Sequence, residues 1–214
     1  WRDVVAMMRG AVDVLRREQT RDSRLVTNVV IGTIPIILAG LALKLSGLDQ
    51  HIRSATLVAA NLIVFGILLY VADVYGLMRR TMAEMNWKTS LIIGFAQALS
   101  LSPGTSRSGI TMTAGRGLGF NRPDAARFSF LLSIPANGAA SILVIGDALE
   151  SGQTISGPVI LTGILTFFIA LGTITVLMRL VRSMGFLPFA AYRILMGAVL
   201  LAVIYSGIPL GAVN

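Results

Sequence analysis

Cysteine is missing from all 214 residues, which excludes a disulfide framework, a thiolate-bound zinc site and a thiol nucleophile. The single histidine, His51 in "GLDQHIRS", falls in a short loop between apolar runs and reads as an ordinary loop residue. Charge is sparse as well: 13% of residues are Asp, Glu, Lys or Arg, against roughly 25% in soluble domains. With 55% hydrophobic residues and a mean hydropathy of +0.78, the composition is that of a membrane protein. Acidic residues are outnumbered, 10 to 18, for a net charge of +8. Such an excess can signal nucleic acid, but its placement points to a membrane instead, and no nucleic-acid partner is expected. A cleavable leader is not expected either, because charge runs throughout "WRDVVAMMRGAVDVLRREQTRDSR" and no cleavage site follows. The chain does not open with Met, so Trp1 is expected to lie inside a longer natural protein.

What is present is a set of long apolar runs. A spanning helix needs about 20 mainly apolar residues, and residues 26–45, 55–75, 125–149, 159–180 and 188–205 meet that need. Ahead of them, Val4, Val5, Met8, Val12 and Leu15 recur at helical spacing between arginines, so 1–25 reads as an amphipathic segment on the cytoplasmic membrane surface. No low-complexity linker interrupts 1–214, which reads as one membrane domain.

Residues 89–120 fit neither pattern. Two apolar runs, "SLIIGFAQALSL" and "GITMTAGRGLGF", are joined by "SPGTSRS". A run of about 12 residues rises about 18 Å as a helix, too short for a hydrocarbon core of roughly 30 Å. The segment is therefore expected to be a re-entrant helix pair with the turn as its buried tip. Under that topology Arg2, Arg9, Arg16, Arg17, Arg21, Arg24, Arg79, Arg80, Lys88, Arg116, Arg122, Arg127, Arg179 and Arg182 share the cytoplasmic side, 14 against Lys44 and Arg53 outside. That is the positive-inside bias, and it would largely vanish if the segment crossed. The expected fold class is an all-α polytopic membrane protein with five spanning helices plus this pair.

Two basic residues remain at membrane depth, Arg107 at the tip and Arg193 in "FAAYRILMGAVLL". A charge there is costly and marks a functional site by default. All ten carboxylates fall in loops or at helix ends, and no acidic partner for either arginine is apparent. Pro103 stops the incoming half-helix and Gly104 turns the chain. Ser106 and Ser108 are good N-cap residues for an outgoing half-helix expected to begin near Gly109. Free N–H groups, a helix N-terminus, hydroxyls and a planar fork of donors together suit phosphate. Serine and glycine clusters also serve close helix packing; the unpaired arginine is what turns the reading toward an anion.

The stretch "LSPGTSRSGITMTAGRGLGFNRPDAARFSFLLSIP" resembles the second signature of the undecaprenyl-diphosphate phosphatase family of bacterial membrane enzymes, associated with bacitracin resistance. "QALSL" before the motif and "FLPFAAYRI" in the last helix extend the likeness through nearly the whole chain. The resemblance implies hydrolysis of undecaprenyl diphosphate to the monophosphate in the bacterial cytoplasmic membrane, recycling a lipid carrier for cell-wall synthesis. It implies two interlocking inverted-topology repeats, whose broken helices meet at the site. The family's signature serine and arginine fall on Ser106 and Arg107. Gly104, Thr105, Ser108, Gly109 and Ser102 would then line the phosphate pocket, with Ser106 a phosphate ligand rather than an unassisted nucleophile. Gln97 supports the site by hydrogen bonding or merely packs. Arg193 either holds a buried carboxylate from the part absent here or touches substrate.

One part of the family pattern is not met. The first signature, an acidic Glu-x-x-x-Glu pair with a histidine-bearing re-entrant turn, does not occur in these residues and is expected upstream of Trp1. A divalent cation, Mg²⁺ or Ca²⁺, is implied by the resemblance, with its ligands in that absent part, no metal ligand in this chain, and the 214 residues alone catalytically incomplete. The expected partners are a polyprenyl diphosphate lipid and the bilayer, and a homodimer stays open. The competing function is a lipid-phosphate or anion transporter using the same pocket, since broken helices and a cationic midplane site are found in transporters too.

Overall fold

The computed structural model describes residues 2–47, 54–151 and 156–206. Asp49, His51 and Arg53, to which the loop and outer-side readings refer, lie outside the described residues. Eight helices run in order: α1 (Arg2–Leu15), α2 (Arg21–Ser46), α3 (Ala55–Tyr75), α4 (Trp87–Ala98), α5 (Arg107–Gly117), α6 (Arg122–Glu150), α7 (Gly157–Met184) and α8 (Leu187–Tyr205). Among the described residues there is no strand, only an isolated bridge between Arg80 and Phe120. Helices α2, α3, α6, α7 and α8 are each long and apolar enough to cross a bilayer. The chain is thus an all-α, multi-pass membrane protein.

Local chemistry sets most of the helix ends. Thr20 caps α2, its hydroxyl accepting from Ser23 N while Ser23 Oγ accepts from Thr20 N. That box starts α2 at Arg21, so residues 1–25 hold the helix α1, which ends at Leu15, and the first turn of α2. Asn86 accepts from Lys88 N and Thr89 N to start α4, and Asn121 accepts from Asp124 N to start α6.

Small residues bring the helices together. A Cβ on Gly94 of α4 would lie 2.4 Å from the Gly32 carbonyl of α2, and one on Gly197 of α8 would lie 2.8 Å from the Ala59 carbonyl of α3. Such contacts replace the hydrophobic drive that lipid cannot supply. Helix α5 lies between two apolar clusters. One joins Val29, Ile93, Phe120, Phe128 and Leu132; the other joins Leu69, Met112, Val181, Phe186 and Ala190. Helix α7 packs against α6, and no residue of its most apolar stretch is buried.

The α4–α5 hairpin positions the site. With 12 and 11 residues, its arms rise about 18 and 16 Å. Its outer ends meet: Arg79 N and Arg80 N donate to the Gly119 carbonyl at 3.1 and 2.9 Å, and Asn121 N donates to the Arg80 carbonyl at 2.9 Å. Its inner turn reaches Asn61 of α3, which is 14 residues before the end of that helix, about 21 Å of rise. The turn is therefore far from the end of the bundle where the hairpin starts and finishes.

Candidate phosphate site at the hairpin tip

The turn between α4 and α5 is held from two sides by helices distant in sequence. From α3, Asn61 Nδ2 donates to Ser102 Oγ and to the Pro103 carbonyl, each at 2.7 Å. From α8, Arg193 Nη2 donates to the carbonyls of Gly104 at 2.9 Å and Thr105 at 2.7 Å. Arg193 is buried, and among the described residues its charge is met by carbonyl dipoles of the tip itself rather than by a carboxylate. The turn is tight. Gly104 has φ +87°, and a Cβ there would stand 2.5 Å from the Val58 carbonyl.

Next in the chain is Ser106, with φ 65° and ψ 112°. This left-handed conformation is rare for a non-glycine residue and costs on the order of 1–3 kcal/mol. It breaks the backbone at once, and Ser106 Oγ then accepts from Gly109 N at 3.2 Å, so α5 begins at Arg107. The expected start near Gly109 is thus two residues late. Ser106 alone is the cap, and Ser108 lies inside the first turn. The N–H groups of Arg107 and Ser108 point out of that turn with no acceptor among the described residues.

Two faces flank this helix start. Ser106, Ser108 and Gly109 line a cleft of about 300 Å³, closed by Leu62, Leu69, Met112, Leu177, Phe186, Phe189, Tyr192 and Arg193. Arg107 is not in that lining; its Nη1 donates to Asn137 Oδ1 of α6. Asn137 is exposed and neutral, so an anion can replace it as the partner of the guanidinium. Behind the turn, Thr105 and Gln97 are fully buried, yet Thr105 Oγ1, both side-chain atoms of Gln97, Ser100 Oγ and Arg193 Nε have no hydrogen-bond partner among the described residues. Each unmet polar atom costs about 1–3 kcal/mol. The tip is therefore the least satisfied part of the interior.

At the base of the hairpin the reverse holds, and here the sequence reading missed a residue. Asp73, near the end of α3, is buried and accepts from Arg116 Nε at 3.2 Å, Arg122 Nε at 2.7 Å and Phe186 N at 3.1 Å. Arg116, counted from sequence among the basic residues of the cytoplasmic side, is fully buried and also donates to the carbonyls of Phe120, Asp73 and Gly76. Burial pushes its pKa down from the ordinary arginine value, while Asp73 pushes it back up. The signal was available: Asp73 is the sole acid in "ATLVAANLIVFGILLYVADVY", and Asn61 the sole amide.

No carboxylate among the described residues bonds to the tip. Among the described residues no group of three or more His, Cys, Asp or Glu could hold a metal ion. The donors around Ser106 are hydroxyls, N–H groups and guanidinium, which suit an anion and do not fit a divalent cation.

The family model described as bacitracin resistance protein BacA matches residues 1–199. The chain belongs to the BacA family. Among similar members, the undecaprenyl-diphosphatase of Erythrobacter litoralis is 39% identical over 94% of this chain and 79% of its own length. Undecaprenyl-diphosphatase 1 of Pseudoalteromonas translucida is 44% identical over 83% of this chain and 67% of its own. The undecaprenyl-diphosphatase of Chromohalobacter salexigens is 42% identical over 94% of this chain and 73% of its own. In this BacA-family chain, Ser102, Gly104, Thr105, Ser106, Arg107, Ser108 and Gly109 form the tip; Arg193 is brought to it from α8, and Gln97 lies buried on α4 behind it.

Proposed function

We propose that the chain is an undecaprenyl-diphosphatase, releasing inorganic phosphate from a polyprenyl diphosphate at the hairpin tip. The names of its relatives support this reading, and one structural observation carries it: a helix N-terminus with two free N–H groups stands beside an arginine whose partner is neutral. The terminal phosphate sits at the start of α5, accepting from the N–H groups of Arg107 and Ser108 and from the Ser106 hydroxyl. The Arg107 fork exchanges Asn137 for phosphate oxygens and neutralises charge as it develops. Water attacks the terminal phosphorus, the bond to the bridging oxygen breaks, and the lipid monophosphate departs. The first prenyl units lie in the cleft lined by Leu62, Leu69, Met112, Phe186 and Phe189. Ser106 acts as ligand, since no base is within its hydrogen bonds. A divalent cation would need carboxylates beyond those described, and no step above passes through one.

The hairpin is re-entrant in this reading, with its base and the basic loops on the cytoplasmic side of the cytoplasmic membrane. Single cysteines at Lys88 and Arg122 should then both be protected from an impermeant reagent added outside intact cells. Labelling of one and not the other would require a crossing segment.

Function is tested by phosphate release from undecaprenyl diphosphate in detergent, by a protein that carries these residues together with the acidic first signature expected upstream. Steady release is expected there and should be lost in Arg107→Ala, while the 214 residues alone should release little. Movement of the lipid across vesicle membranes without phosphate release would overturn the reading in favour of a transporter.

A further inference from the structure

A groove of about 500 Å³ runs between α1, α6 and α7. Three arginines stand at its mouth: Arg127 from α6, and Arg179 and Arg182 from the last turns of α7. The one carboxylate there, Asp3 of α1, is already engaged, accepting from Arg127 Nε at 2.8 Å and from its Nη2. Arg179 and Arg182 are exposed and form no ion pair among the described residues. Below the mouth the walls are apolar, with Phe130 and Ile134 on α6 and Leu171 and Ile174 on α7. From Arg179 back to Leu171 the helix rises about 12 Å. A cationic mouth over an apolar trough of that depth has the layout of a lipid, headgroup above and chains below.

We propose that this groove binds an anionic glycerophospholipid of the leaflet facing the basic end of the bundle, its phosphate between Arg179 and Arg182 and its acyl chains along α6 and α7. Charge complementarity decides the occupant. The mouth carries two uncompensated positive charges, and the leaflet that faces positive loops is the anionic one. A second copy of the chain fits worse, because a two-fold contact through this face would press two sets of arginines together out of water. The groove is separate from the tip: Arg107, Ser106 and Ser108 take no part in it.

The test is native mass spectrometry of the purified full chain in detergent, with phosphatidylglycerol and phosphatidylcholine added in equal amounts. The wild type should retain phosphatidylglycerol preferentially. In Arg179→Gln/Arg182→Gln that preference should fall by roughly tenfold or more, since one arginine at an anionic surface is worth about a fivefold factor. Arg107→Gln should keep the preference, separating this lipid from one held at the tip. A melting temperature that rises with phosphatidylglycerol but not with phosphatidylcholine, in wild type only, is the second expected result. Equal retention of both lipids by the wild type, or an unchanged preference in the double variant, overturns the proposal. So does displacement of phosphatidylglycerol by an equal concentration of undecaprenyl phosphate, or a dimer that excludes lipid from this face.

Discussion

Helix α5 carries an arginine near each end, and the two could hardly be treated more differently. Arg116, in the last turn, has no exposed surface and spends its donors on Asp73 and three backbone carbonyls. Arg107, in the first turn, is half-buried and has one neutral partner, Asn137. Around Arg116 every polar group is paired. Around Arg107 lie a serine at φ 65°, two free N–H groups and a set of buried polar atoms without partners. A paired arginine inside a membrane protein ties helices together, whereas an unpaired one beside strained backbone marks where a ligand completes the structure. On the function proposed above, the base of the hairpin serves stability and its tip serves chemistry.

The largest effect on stability should come from the base. Asp73→Ala leaves Arg116 buried without its counter-charge, which is expected to cost about 3–5 kcal/mol. Thermal unfolding in detergent would measure it. Replacing Asp73 and Arg116 together by apolar residues of similar volume should recover much of that loss. Recovery with activity retained would sharpen the division of labour; loss of activity despite full stability would bring the base into the reaction.

A smaller effect is expected at the turn. Gly104→Ala places a Cβ 2.5 Å from the Val58 carbonyl in a left-handed conformation, at a cost of about 1–3 kcal/mol. Because the same turn aims the first N–H groups of α5, turnover should fall more than the melting temperature suggests. A variant that loses stability but keeps its kcat would show that tip geometry is not critical.

The smallest stability effect is predicted for Ser106. Ser106→Gly relieves the left-handed strain and gives up a cap worth only a few tenths of a kcal/mol against Gly, while the freer unfolded chain takes back about 0.4–1 kcal/mol, so the net change should be small and in the stabilising direction. Phosphate release should nevertheless drop, since the hydroxyl is a phosphate ligand. Wild-type turnover by Ser106→Gly would remove that ligand from the mechanism.

Much of this contrast could be read from the sequence, and the part that could not has a physical cause. Chain length and hydropathy sufficed for the five long helices, because lipid demands long apolar runs and leaves few alternatives. The tip could be read because Pro103, Gly104 and Ser106 act on their own neighbours. The Asp73–Arg116–Arg122 cluster joins residues 43 and 49 positions apart through the way α3, α5 and α6 cross, and spacing along one chain does not encode that. Arg193 was legible as a buried charge but not as the clamp on the Gly104 and Thr105 carbonyls, 89 and 88 residues away. The start of α5 was misplaced because a serine was not expected to take a glycine-like φ. Strain of that kind follows from the clamps on either side of the turn.

If Arg107 serves the reaction and Arg116 the fold, a paired substitution separates the two roles. Arg107→Lys and Arg116→Lys would each be purified, and kcat for phosphate release from undecaprenyl diphosphate measured beside the melting temperature. Arg107→Lys should lower kcat by about 10²- to 10³-fold, as loss of a preorganised donor does, while melting within a degree or two of wild type. Arg116→Lys should do the reverse, melting markedly lower but keeping most of its kcat at a temperature where it is folded. Near-wild-type turnover by Arg107→Lys, with Arg116→Lys folded but inactive, would contradict the account.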